Sequence, residues 1–306
     1  GSIPTSGRDT SVTFTINEPS SLTWNWIAQY YLTVGTNPAG LDSPTGEDWY
    51  DRDVTAHVST AQCVNTVPGV SRYRFDSWTG AIGTYADAIV VMDSAKTATA
   101  NYKLQYYMTF DQTGFGTDFT ATVVTIDGTD YCVTALPVSF WWDDLSTHGF
   151  SFQSPLIVTA NSKQYVWTDT TGLSTKQSDT IIITASGSVT GGYKTQYYLT
   201  VSSVYDTPSG EGWYDKDSTA YAMLATGTVS GGTGTQYVLI GWDGDASGTG
   251  LTSDEITMDG PKTATAKWKT QHYLTVTSAQ GSPTPTSGWV DPGTSITAFV
   301  TSPWPV

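Results

Sequence analysis

Short stretches of the chain alternate apolar and polar residues with period 2. In "AQYYLTV" (Ala28–Val34), Tyr30, Leu32 and Val34 fall on one side and Tyr31 and Thr33 on the other. That alternation predicts a half-buried β-strand. The stretch returns as "LQYYMTF" (Leu104–Phe110), "TQYYLTV" (Thr195–Val201) and "TQHYLTV" (Thr270–Val276). Its glutamine stands at 29, 105, 196 and 271, so the steps are 76, 91 and 75 residues. Self-similarity at that period marks a repeated folding unit.

Each copy reads as a succession of strands. After a Gly/Pro/Ser-rich connection comes a second recurring phrase: "GEDWYDRDVTAHV" (Gly46–Val58), "SFWWDDLSTHGF" (Ser139–Phe150), "GEGWYDKDSTAYA" (Gly210–Ala222) and "SGWVDPGTSITAF" (Ser287–Phe299). A third strand follows, "SRYRFDSW" (Ser71–Trp78) or "TQYVLIGW" (Thr235–Trp242). A short apolar one comes next: "AIVVM" (Ala88–Met92), "TIIIT" (Thr180–Thr184) or "EITM" (Glu255–Met258). The last is "KTATANYK" (Lys96–Lys103), "GSVTGGYK" (Gly187–Lys194) or "KTATAKWK" (Lys262–Lys269). One face of it carries Ala98, Ala100 and Tyr102, or Ala264, Ala266 and Trp268. Small residues followed by an aromatic let a second sheet approach closely at one end and fill space at the other.

These phrases predict repeats at 28–103, 104–194 and 195–269. Residues 1–27 resemble the back half of a repeat, and 270–306 the front half. Two readings of the halves are open: a segment of a longer array, or complementation of one molecule's C-terminal half by the next molecule's N-terminal half. The second repeat diverges through an extra stretch, "DFTATVVTIDGTDYCVTALP" (Asp118–Pro137), in which Ile-Asp-Gly-Thr signals a hairpin turn. No linker separates the copies. The expected fold is all-β, a rod-like tandem array of small sandwich repeats on the order of 100 Å long.

Composition supports this picture. Of 306 residues, 12 are Trp and 18 Tyr, enough aromatic area for several compact cores. The formal charge of −15 disfavours a nucleic-acid partner, which needs clustered Lys and Arg. Cys63 and Cys132 are too few for a disulfide framework, leaving two thiols or a single bridge open. No signal peptide or long apolar run occurs, so no membrane insertion is expected in this segment.

The linked phrases "QYYLTV", "GEGWYDKDSTA" and "TQYVLIGWDGDASGTGLTSDEITMDGPKTATAKWKTQ" resemble the divergent InlB B-type (Listeria–Bacteroides type) repeats of secreted and surface proteins of bacteria and archaea. Residues 195–269 match best; the second repeat departs through its insertion and through Trp167, which stands where the third has Leu239. The resemblance implies small β-grasp-like domains, extracellular or cell-surface location, a stalk, S-layer, filament or adhesin role, and no catalytic residues.

The recurring phrase holds the first candidates for chemistry. Trp49, Trp141, Trp213 and Trp289 are expected to anchor core edges. Asp51, Asp143, Asp215 and Asp291 are expected to accept backbone N–H bonds in a turn. Gly293, in the place of Asp53 and Asp217, signals a left-handed turn residue. The rival reading gives Asp51/Asp53 and Asp215/Asp217 a cation. "DGDASGTGLTSDE" (Asp243–Glu255) places Asp243, Asp245, Ser247 and Asp254 at calcium-loop positions, although no helices flank it; calcium is the one cofactor the sequence suggests. His57, His148 and His272 occupy non-equivalent positions, and no nucleophile, zinc or phosphate motif occurs. The expected function is therefore structural and non-enzymatic, with copies of itself as head-to-tail partners and other cell-surface proteins or glycans as further ones. The alternative is an adhesin whose Trp and Tyr stack on glycans.

Overall fold

The computed structural model describes residues 10–301. Among them every regular element is a strand except a 3-10 turn at Val133–Ala135, so the chain is all-β. It divides into two compact units, one up to Gln105 and one from Tyr106 onward.

The first unit holds β1 (Gln29–Asn37), β2 (Asp48–Asp51), β3 (Thr55–Ser59), β4 (Cys63–Val67), β5 (Ser71–Thr79), β6 (Asp87–Val91) and the first part of β7 (Lys96–Thr113). β1 is central. It pairs antiparallel with β2, setting Tyr31 opposite Trp49. Its other edge pairs in parallel with β7, Leu32 opposite Lys96 and Val34 opposite Ala98. β5 hydrogen-bonds to β7, and β4 to β5. β3 and β6 form a second layer, Ala56 opposite Val90. Leu32, Ala98, Ala100, Tyr102, Phe75 and Trp78 of the larger layer meet Ala56, Val58, Ala88 and Val90 of the smaller, with Met92 between. The alanines at 98 and 100 are fully buried, which lets the small layer approach. Tyr102 fills the wider end and donates its hydroxyl to the Ala61 carbonyl (2.7 Å).

The second unit continues with β8 (Thr122–Ile126), β9 (Thr129–Cys132), β10 (Val138–Asp143), β11 (Thr147–Phe152), β12 (Leu156–Thr159), β13 (Lys163–Gly172), β14 (Ser178–Ile182), β15 (Gly187–Ser202) and β16 (Gly212–Asp215). Then come β17 (Thr219–Ala220), β18 (Thr228–Ser230), β19 (Thr235–Gly244), β20 (Ile256–Thr257), β21 (Lys262–Leu274), β22 (Pro283–Thr284), β23 (Gly288–Val290) and β24 (Phe299–Val300). The pairing scheme of the first unit recurs twice. β7 runs parallel to β15, Met108 opposite Gly187. β15 in turn runs parallel to β21, Leu199 opposite Lys262. β13 lies antiparallel along β15 and β19 along β21, each with one register shift, at Trp167/Asp169 and Leu239/Gly241. A strand bends at such a bulge. The second layers are β17–β20 and the four-stranded β14–β11–β8–β9. The extra hairpin, β8–β9, thus widens the second layer rather than adding a separate lobe. Its Asp127-Gly128 turn has φ of +48° and +78°.

Three hydrophobic cores result, built from residues within 32–102, 108–193 and 199–266. They do not interleave in sequence. β15 serves two of them: Val189 and Tyr193 are buried in the second core, Leu199 and Val201 in the third. No break separates these halves, because Lys194-Thr195-Gln196 offers no Gly, Pro, Asn or Asp to turn on. Outside the three cores little is buried. Residues 10–28 form no strand, and none of residues 267–301 is fully buried.

Candidate functional site

The four recurring Trp side chains are not core anchors, which corrects the expectation. Trp49 is 59% and Trp289 41% exposed, and Trp141 and Trp213 are half-buried. Strand parity is the reason. Register places Trp49, Trp213 and Trp289 opposite Tyr31, Tyr198 and Tyr273, on the face turned away from the core. Each packs edge-on against that tyrosine, at centroid distances of 5.4, 5.1 and 5.2 Å. Tyr107 and Trp141 make the fourth pair at 5.0 Å. In three copies the residue after the Trp turns inward instead: Tyr50, Trp142 and Tyr214 pack on the cores. Two outer tyrosines are held by acids. Tyr31 donates to Glu47 (2.9 Å) and Tyr198 to Glu211 (3.1 Å), while the second oxygen of each acid accepts a backbone N–H, from Val34 or Val201. The Val34 N–H, then the Tyr31 hydroxyl, hold Glu47 below the ordinary carboxylate range, and the Glu47 bond pushes Tyr31 up.

Three of the recurring aspartates need a similar correction: the carboxylates of Asp51, Asp215 and Asp291 grip the neighbouring strand. Asp215 accepts Gln196 Nε2 and Lys194 Nζ, both at 2.8 Å. Asp291 accepts Gln271 (2.8 Å) and Lys269 (2.9 Å), and Asp51 accepts Gln29 (2.8 Å). The lysine, then the glutamine, hold Asp215 and Asp291 below the ordinary range. Gln196 and Gln271 also accept from Gln164 (2.8 Å) and Gln236 (2.9 Å) on the third strand, and Gln105 accepts from Arg72 Nε (2.9 Å). Gln196 and Gln271 therefore each tie three strands together. The turn itself is main-chain: Val54, Ser146, Ser218 and Thr294 donate N–H to the carbonyls of Asp51, Asp143, Asp215 and Asp291. Its third residue is left-handed in all four copies: Asp53 (+65°), Leu145 (+62°), Asp217 (+64°) and Gly293 (+79°). In three copies that residue donates to a carbonyl at the end of the fourth strand, Met92, Ile183 or Met258. Asp53 and Asp217 each lie beside their own neighbour, Arg52 (3.5 Å) and Lys216 (3.6 Å), rather than sharing a cation with Asp51 or Asp215.

The calcium assignment is also corrected. Asp243 pairs with Lys267 (3.0 Å), Asp245 accepts Thr263 N–H (2.8 Å), and Asp254 accepts Ser247 Oγ (2.8 Å). The carboxylates are engaged separately, and among the described residues no three His, Cys, Asp or Glu side chains converge as a metal site. Cys63 and Cys132 are both free thiols.

Sequence reasoning missed one cluster. His148 Nδ1 lies 2.6 Å from Asp127 Oδ2, and Nε2 lies 2.9 Å from Ser146 Oγ. The order resembles a hydrolase relay, but the hydroxyl is committed elsewhere. Ser146 Oγ donates to the Asp143 carbonyl (2.5 Å), as Ser218 does to Asp215 (2.6 Å) where no histidine is present. Asp127 also accepts Gly149 N–H (2.9 Å), and the His148 ring stacks on Trp142 at 3.7 Å. The cluster thus staples the turn of the extra hairpin to β11. The signal available in the sequence was the alignment of His148 with Ala56 and Ala220, both core positions. Compared with known proteins, the chain matches no family model, no curated protein and no solved structure.

Proposed function

We propose that this chain is a structural segment of an extracellular tandem-repeat protein, extending a stalk, envelope layer or filament at a cell surface. It is not an enzyme in this reading, and copies of itself are its partners. One observation carries the proposal: in three copies the recurring motif spends its aspartate on binding strand to strand, through Asp51, Asp215 and Asp291. A catalytic site would leave reactive groups facing a cleft, whereas Asp215, Gln196 and Lys194 face each other. Parallel first and last strands in three copies agree with a β-grasp-like repeat, and the phrases that resemble InlB B-type repeats support the same role. The net charge of −15 argues against nucleic acid. No helix among the described residues is long and apolar enough to cross a membrane.

Pulling the molecule by its ends tests this. Independent cores should yield in three steps, each releasing about 250 Å of contour for a copy of about 75 residues. A single cooperative rupture would contradict the proposal. A second reading, a glycan-binding adhesin, is favoured by the exposed Trp49 and Trp289 beside tyrosine. A glycan array separates the two: specific hits lost on Trp49→Ala and Trp289→Ala favour the adhesin.

A further inference from the structure

In each copy whose first strand has a parallel neighbour, one rule sets the register. The residue three after the copy's glutamine lies opposite the residue nine before the next glutamine. Leu32 faces Lys96, Met108 faces Gly187 and Leu199 faces Lys262. The fourth first strand breaks the series. Leu274 pairs with Gly288 on one side, and Val276 is held on that side by Ser287. Among the described residues no strand pairs with the opposite edge of Leu274–Thr277. Leu274 is only half-buried, where Leu32, Met108 and Leu199 are fully buried.

A strand of the missing kind stands elsewhere in the chain. Nine residues before Gln29 begins "SSLTWNWIA" (Ser20–Ala28), which aligns with "KTATANYKL" (Lys96–Leu104), Asn25 matching Asn101 and Trp26 matching Tyr102. Residues 20–28 form no strand, and Trp24 and Trp26 are exposed, Trp26 by 79%. Its inward series, Leu22, Trp24, Trp26, is bulkier than Ala98, Ala100, Tyr102. That extra volume suits a core lacking the third strand, which supplies Phe75 and Trp78 in the first core. Neither Ser20–Ala28 nor Leu274–Ser287 carries a charge, so no like charges meet within the paired segments. The pairing would continue the parallel series already seen within the chain.

Resting on the reading of the chain as an end-to-end structural segment, we propose that residues 20–27 of one copy add as a parallel strand to Leu274–Thr277 of a second copy, Ser20 opposite Leu274 and Leu22 opposite Val276. Ser21 and Thr275 then face each other outward, within disulfide reach. The test uses the full chain with Cys63→Ser and Cys132→Ser. Chains bearing Ser21→Cys are mixed with chains bearing Thr275→Cys under mild oxidation. The proposal expects a disulfide-linked heterodimer, with about tenfold less product from Thr23→Cys plus Thr275→Cys, whose Cα atoms would lie too far apart to bridge. A chain carrying both Ser21→Cys and Thr275→Cys should form a ladder of linked multimers. Equal yields in and out of register, no product, or closure of the double variant into a cyclic monomer would each overturn it. The extended-segment reading fails separately, through the scattering or unfolding steps of the uncross-linked monomer.

Discussion

Replacing Trp49 and Trp78 by alanine, one at a time, separates outer-face aromatics from core ones within a single unit. Trp78 is 9% exposed, packs on Phe75 at 5.8 Å, and donates Nε1–H to the Tyr85 carbonyl (3.1 Å). Trp78→Ala removes that contact and leaves a cavity, a cost of about 3–5 kcal/mol. Trp49 keeps most of its surface in water, and its main contact is the edge-on pair with Tyr31. Such a pair contributes about 0.5–1.5 kcal/mol, so Trp49→Ala should cost about 1 kcal/mol. A chain with several cores does not unfold in two states, so a global melt would blur the difference. Hydrogen exchange of the β3 and β6 amides reads the opening of the first core directly. Trp78→Ala should accelerate it by roughly 10²- to 10⁴-fold and Trp49→Ala by about tenfold or less. A cycle through Tyr31→Ala should return a coupling near the pair energy. Equal acceleration by the two Trp variants would refute the assignment of faces.

Acid should weaken the junctions. Asp215 and Asp291 have folded pKa values below their unfolded ones, so their contribution is fully present above the ordinary carboxylate value. It is lost as pH falls through the depressed folded values. Melting temperature should therefore drop below about pH 4, and Asp215→Asn should flatten part of that drop. Gly172 has φ +97°, and a Cβ there would sit 2.0 Å from the Ser188 carbonyl oxygen. Gly172→Ala should cost more than about 1 kcal/mol, while Gly35→Ala, in open space, should leave the melt unchanged. Millimolar calcium should not move the melting temperature, since Asp243, Asp245 and Asp254 are engaged separately; a rise of several degrees would restore the cation site.

Period 2 made the cores legible. Leu32 on the first strand's apolar face, and Ala98, Ala100 and Tyr102 on one face of the last, meet in the same core. The left-handed turn residue was legible as well, through Gly293 in the place of Asp53 and Asp217. The Trp-Tyr-Asp phrase was misread because two adjacent aromatics cannot both face inward on a strand, and hydrophobicity alone does not choose between them. Register chooses: Tyr31 faces out, so its partner Trp49 does too. The aspartate contacts were hidden by distance along the chain, since Lys194 lies 21 residues from Asp215. The His148 staple depends on Asp127, which an inserted hairpin carries and no other copy has an equivalent of.

The proposed structural role requires that the separate cores be strung out as an extended segment. Small-angle scattering of the dilute monomer tests it most directly. A rod about 100 Å long and about 30 Å wide has a radius of gyration near 30 Å, whereas a compact globule of this length has one of about 19 Å. The account predicts the larger value; the smaller one would contradict it.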